Sequence, residues 1–172
     1  VHINPTYDQE SVSWFSQNID KEVRTDFNAL QLLEGSHGVP FKAIEDLEGD
    51  YFFQYQNWQN QLLEIAINPS RVNETELFDG NELQVLSCLQ QLLTEGIKLK
   101  VLKSDSANLE LNKVIEKTSQ RYLFKLLDDT SRAIALSKTT VNMKLLLDNV
   151  LIVWSHITHL KHYPTITHTQ EF

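Results

Sequence analysis

SQRYLFKLLDDTSRAIALSKTTVNMKLLLDNVLIVWSHITHLK, residues 119–161, is the stretch that decides the fold. It reads as two helices folded back on each other. In the first, Leu123, Leu126, Leu127, Thr130, Ile134 and Leu136 recur at three- and four-residue steps. Lys125, Asp128, Asp129, Arg132 and Lys138 fall between them. That spacing makes one apolar stripe on a helix with a solvated back. Ser137 to Asn142 is a polar break. The second helix carries Leu145, Leu146, Leu147, Val150, Leu151, Ile152, Val153 and Trp154, which leave almost no polar face. A helix that apolar must be covered on most sides, by its own chain or by neighbouring subunits.

Working outward, the composition favours helix throughout. The 172 residues hold only five Gly and four Pro, too few for the tight turns of an all-β protein. A 41% hydrophobic content is enough to bury a core. The single cysteine, Cys88, rules out an internal disulfide framework and points to a reducing compartment. It sits among Leu86, Leu89, Leu92 and Leu93, the setting of an inert core thiol rather than a nucleophile. No secretory leader is visible, and the apolar run 145–154 is too short to span a bilayer. The expectation is a soluble, cytoplasmic chain. It starts without Met, which suits a piece of a longer protein.

The net charge of −8 is uneven: residues 1–48 carry three Lys/Arg against nine Asp/Glu, and residues 49–172 carry twelve against fourteen. So acidic a first segment repels phosphate, which makes it a poor grip for nucleic acid. Within it, Asp8 opens a short helix with Val12, Trp14, Phe15 and Ile19. A second helix follows Asp20 and stops at Gly35, and a third starts at Ser36 and carries Val39, Phe41, Ala43, Ile44 and Leu47. Gly49-Asp50 separates this bundle from a long helix, Tyr51 to Ile67. The five aromatics in residues 51–58 lack the interleaved cations of a base-stacking platform, so core packing is their expected role. Asn68-Pro69 ends that helix, and 70–79 reads as a loop with room for one turn of helix. The next helix runs from Gly80-Asn81 to Leu102, with Leu83, Val85, Leu86, Leu89, Leu92 and Leu93 inward. Gly96 marks a bend or a close contact within it. Lys98, Lys100 and Lys103 suit the negative end of that helix's dipole. A short helix, 109–118, precedes the organising pair.

Catalytic candidates are weak. His156, His159 and His162 recur every third residue on the expected last helix. That spacing drifts around the helix, unlike the i, i+4 pair of a zinc site, so surface or inter-helix histidines are the simpler reading. Asp128 and Asp129 point about 100° apart on a helix and cannot serve one substrate atom. Neither G-x-x-x-x-G-K-[ST] nor G-x-S-x-G occurs. The residues by themselves describe an all-α, non-catalytic, associating module with no cofactor and no metal site.

A resemblance extends this reading. Leu32-Leu33-Glu34-Gly35-Ser36-His37-Gly38-Val39-Pro40-Phe41-Lys42-Ala43 is similar to the lid motif of clamp-loader AAA+ subunits. The Trp14-Phe15 helix resembles the lid helix before it. Residues Asn142 to Trp154 resemble the C-terminal helices of the delta prime family of bacterial DNA polymerase III clamp-loader subunits. The order of these pieces runs along essentially the whole chain. The resemblance implies an all-α fold with two parts: residues 1–48 as a three-helix AAA+ lid and residues 49–172 as a roughly five-helix collar domain. It also implies a preceding nucleotide-binding domain.

In function it implies a non-catalytic member of a heteropentamer with gamma/tau ATPase subunits and delta. That assembly loads the sliding clamp on primed DNA within the polymerase holoenzyme, using ATP bound by other subunits. Where active members carry an Arg toward the nucleotide phosphates, this chain has Gly38, which argues against an ATP-binding sibling. The delta subunit, an unrelated helical adaptor or scaffold domain, and a metal-dependent hydrolase using the histidines are the alternatives. On the collar reading, the subunit-contact residues are expected among Leu145, Leu147, Val150, Leu151 and Trp154.

Overall fold

A computed structural model describes residues 9–18, 51–104, 106, 108–160, 162 and 164. Among these, six α-helices and no strand occur, so the chain is all-α as its composition and periodicity predict. The helices are α1 (Gln9–Asn18), α2 (Tyr51–Ile67), α3 (Glu82–Leu102), α4 (Leu109–Lys117), α5 (Gln120–Leu136) and α6 (Met143–Ser155). The chain divides into two units, Val1–Asn57 and Trp58–Phe172. In the first, α1 is described, with Val12 half-buried and Trp14 exposed. The helices expected after Asp20 and after Ser36, the Gly35–Gly38 turn and the tail 165–172 lie outside the described residues.

The second unit is built on α3. Its inward arc is Val85, Leu86, Cys88, Leu89, Leu92, Leu93, Gly96 and Ile97, all buried. Leu83, expected inward, is exposed. At 100° per residue it falls just outside that arc, about 40° past Ile97. Helix α3 packs most extensively on α5 and also meets α4 and α6. The direction is antiparallel. Gln90 Nε2, near the start of α3, donates to Ser131 Oγ at 2.9 Å, whereas Lys100, near its end, reaches the Thr118 carbonyl just before α5. On α5, Leu123, Leu126, Thr130 and Ala133 are buried, the three- and four-residue spacing read from the sequence. Thr130 returns its hydroxyl to the Leu126 carbonyl at 2.7 Å, which removes the cost of burying it.

Helix α4 is held on α3 by two features. A Cβ built on Gly96 would lie 2.2 Å from Ile115 Cδ1, so the absent side chain is what admits Ile115 against the α3 backbone. Gly96 is therefore a close contact between helices. The second feature is Lys100. Its ammonium donates to the carbonyls of Ile115 (2.6 Å) and Glu116 (3.3 Å) and also to that of Thr118. These carbonyls lie at and just past the C-terminus of α4, where no i+4 N–H of the helix reaches them, although that of Ile115 also accepts from the Thr118 N–H at 3.2 Å. The sequence reading gave Lys100 to the dipole of its own helix; in space its charge sits at the C-terminus of the next one. At the other end of α4, Asn108 Oδ1 accepts from the N–H groups of Glu110 and Leu111, each at 3.1 Å. The linking loop is pinned where Asn112 pairs both ways with the Ser106 backbone, at 2.8 Å each.

Two boundaries differ from the sequence reading. The segment 70–79, expected to be mostly loop, is a 3-10 helix, Pro69–Phe78, which packs beside α6 and whose end residue Phe78 is buried. The last helix stops at Ser155 instead of running to Lys161. Three features end it. His156 N–H turns back to Trp154 and Val153 carbonyls, Ser155 Oγ donates to the Ile152 carbonyl at 2.8 Å, and His156 Nδ1 lies 3.1 Å from that same carbonyl. These contacts satisfy the last carbonyls locally, so no further turn is required.

The Gly96–Ile115 contact generates a stability test. Gly96→Ala overpacks the α3–α4 seam, a loss of about 1–3 kcal/mol, against a gain of about 1 kcal/mol in helix propensity. The expected outcome in urea unfolding is a net loss. Adding Ile115→Val, which deletes the colliding methyl, should make the double variant more stable than the sum of the single effects.

Candidate functional site

The chemistry that a sequence search would reach for first is dispersed. His156, His159 and His162 are all exposed, and with α6 ending at Ser155 they follow a turn and a bend instead of a helix face. Among the described residues, no group of three or more His, Cys, Asp or Glu side chains could hold a metal ion. On α5, Asp128 is exposed and Asp129 half-buried, on adjacent positions whose side chains diverge. Cys88 is fully buried on α3, the placement its leucine neighbours predict. No helix among the described residues is long and apolar enough to cross a membrane.

The surface to which the sequence reading points is that of α6. Asn142 caps the helix, its Oδ1 accepting from Leu145 N–H at 3.3 Å. The inner side, Leu146, Leu147, Val150, Leu151, Val153 and Trp154, is buried within the chain. The Trp154 indole N–H donates to the Leu62 carbonyl at 2.6 Å, which ties the end of α6 to α2. Four of the five residues expected to face another subunit, Leu147, Val150, Leu151 and Trp154, are therefore occupied in packing this chain's own core. Leu145 alone of the five is on the outside, 48% exposed. Ile152, which the sequence reading had not singled out as a contact, joins it at 52%.

Leu145 and Ile152 are two turns apart on one helix face, offset by only about 20°. Between them lie Asp148 and Asn149, both half-buried. Lys144, beside this face, gives its ammonium to both oxygens of Asp79, at 2.8 and 3.1 Å. The result is a narrow strip with an apolar residue at each end and a carboxylate and an amide between them. Because α6 is apolar nearly all round, periodicity could not tell the inner from the outer side. The signal that could have done so is the polar pair Asp148-Asn149, which marks where the outer face lies.

No protein-family model matches the chain, and neither curated proteins nor solved structures gave a match.

The division of α6 into an inner and an outer side is open to measurement. Leu145→Ser and Ile152→Ser should each change unfolding free energy by less than about 0.5 kcal/mol, whereas Leu151→Ala should cost about 2–5 kcal/mol. A thiol reagent gives an independent check of the core beneath. Cys88 should react only after denaturant unfolds the chain, and in the Leu151→Ala variant it should react at a lower denaturant concentration.

Proposed function

We propose that this chain is the lid-and-collar portion of a delta prime-type clamp-loader subunit. On this reading it is a non-catalytic element that assembles with gamma/tau ATPase subunits and a delta subunit into a heteropentamer. The whole complex, not this portion, engages the sliding clamp and primed DNA. What carries the proposal is the order of motifs along the chain: the Trp14-Phe15 helix, the Gly35-Ser36 segment, then the helix pair ending in Asn142 to Trp154. The outer strip of α6 supports it. An assembly domain must present apolar surface on a helix that is itself firmly packed, and Leu145 and Ile152 are exposed on a helix whose other side is buried.

The proposal has a physical counterpart in the absence of side-chain chemistry at the lid. Gly38 offers no cation to a nucleotide phosphate, which accords with a subunit whose part is to assemble while others turn over ATP. An adaptor or scaffold domain unconnected with replication would share the helices but would not bind these partners.

Sedimentation velocity of the chain with purified clamp-loader ATPase and delta subunits from the same source tests it. The expected result is co-sedimentation that disappears on Leu145→Asp plus Ile152→Asp while the helical circular dichroism of the variant is unchanged. Trp154→Asp is not a useful probe, because a charge placed at that buried position would unfold the chain instead of testing the interface. Failure of the folded wild-type chain to bind either subunit would count against the assignment.

A further inference from the structure

Lys100 sets a full positive charge at a point where three backbone carbonyls converge. Its ammonium donates to Ile115 at 2.6 Å, to Glu116 at 3.3 Å and to Thr118. An ammonium has three N–H groups, and here there is one acceptor for each. The three oxygens stand at the negative end of the α4 dipole, which favours a cation among them.

These oxygens are positioned by contacts that do not involve the lysine. Thr118 is buried and holds the turn between α4 and α5 from within. Its Oγ1 donates to the Val114 carbonyl at 2.7 Å and its N–H to the Ile115 carbonyl at 3.2 Å. The next residue, Ser119, starts α5, its carbonyl accepting from the N–H groups of Tyr122 and Leu123 at 2.9 and 3.2 Å. Along α4, Leu111, Val114 and Ile115 are buried, and Ile115 fills the space at Gly96. Removing the ammonium therefore leaves the carbonyls aimed at a common point with their shared donor gone. The bond to Glu116 lies on the exposed side, so that point is reached from solvent.

We infer that the carbonyls of Ile115, Glu116 and Thr118 form a preorganised site for one small ammonium-type cation, which the chain fills with a tethered ammonium of its own. Charge alone does not satisfy the site, because three oxygens around one point call for N–H groups radiating from one nitrogen. The planar guanidinium of an arginine spreads its donors over a fork and cannot reproduce that arrangement. A free ammonium ion presents the same donors as the lysine, and it can enter once the side chain is cut back.

Urea unfolding of the chain, followed by circular dichroism, tests this with Lys100→Ala. The variant should unfold at a lower urea concentration than wild type. Methylammonium chloride, exchanged for sodium chloride at constant ionic strength, should raise the variant's midpoint, and the rise should grow with the logarithm of concentration once the site is filled. Tetramethylammonium has the same charge and no N–H, and it should restore nothing. Lys100→Met keeps the stem and puts a methyl at the mouth of the site, so it should be destabilised and not restored. Wild type, its site already filled, should respond alike to the two salts. The inference is overturned if Lys100→Ala is as stable as wild type, or if methylammonium raises its midpoint no further than tetramethylammonium does. Equal restoration of the Ala and Met variants would overturn it too, because it would reveal a general salt effect. Full stability of Lys100→Arg would overturn the requirement for donors on a single nitrogen.

Discussion

A single hydrogen bond, from the Trp154 indole to the Leu62 carbonyl, fixes how α6 can be used. The indole is fully buried, and its N–H would be left unsatisfied in any other rotation of the helix about its axis. With that group committed to α2, Leu147, Val150 and Leu151 turn into the core, and Leu145 and Ile152 turn out. A helix apolar nearly all round has no face of its own choosing. One polar atom on its bulkiest side chain supplies the choice, and the exposed side of the helix is what is left over.

Behind α6, the unit draws its rigidity from contacts that are close and specific. Helices α3 and α5 run antiparallel, bridged by Gln90 to Ser131 at one end and by Lys100 to the Thr118 carbonyl at the other. Gly96 lets Ile115 approach the α3 backbone at a distance any other residue would forbid. Its buried hydroxyls are satisfied within the turn below: Thr118 to Val114 and Thr130 to Leu126, at 2.7 Å each. These contacts hold the layer on which α6 rests.

Helix type and extent were legible wherever punctuation was chemical. Asn68-Pro69 closes α2, Gly80-Asn81 precedes α3, and the polar run 137–142 separates α5 from α6. Gly96 announced a close contact, although not with Ile115. What could not be read were features decided across the chain. Phe78 lies in a polar stretch whose periodicity is neither that of a helix nor that of a strand, so its burial depends on α6 being beside it. Lys100 looked like a charge for its own helix because the C-terminus of α4 is a neighbour only in three dimensions. The end of α6 was misplaced because His156, His159 and His162 do not break a helix by composition, whereas the Ser155 hydroxyl and His156 together close it. Of the five residues expected to face a neighbour, four lie on the inner side of α6 and only Leu145 lies outside, since apolar density along a helix does not tell its buried side from its exposed one.

Lys100 carries one more consequence. Helix α4 has nine residues, fewer than the length at which an isolated helix persists in water. Its C-terminal carbonyls are satisfied by a side chain from α3, and its middle rests on the gap left by Gly96. It therefore has no independent existence as a folded segment. Its stability is borrowed: an opening that withdraws the last turn of α3 takes Lys100 away from the end of α4 and the Gly96 gap away from Ile115, so the two helices open as one cooperative unit.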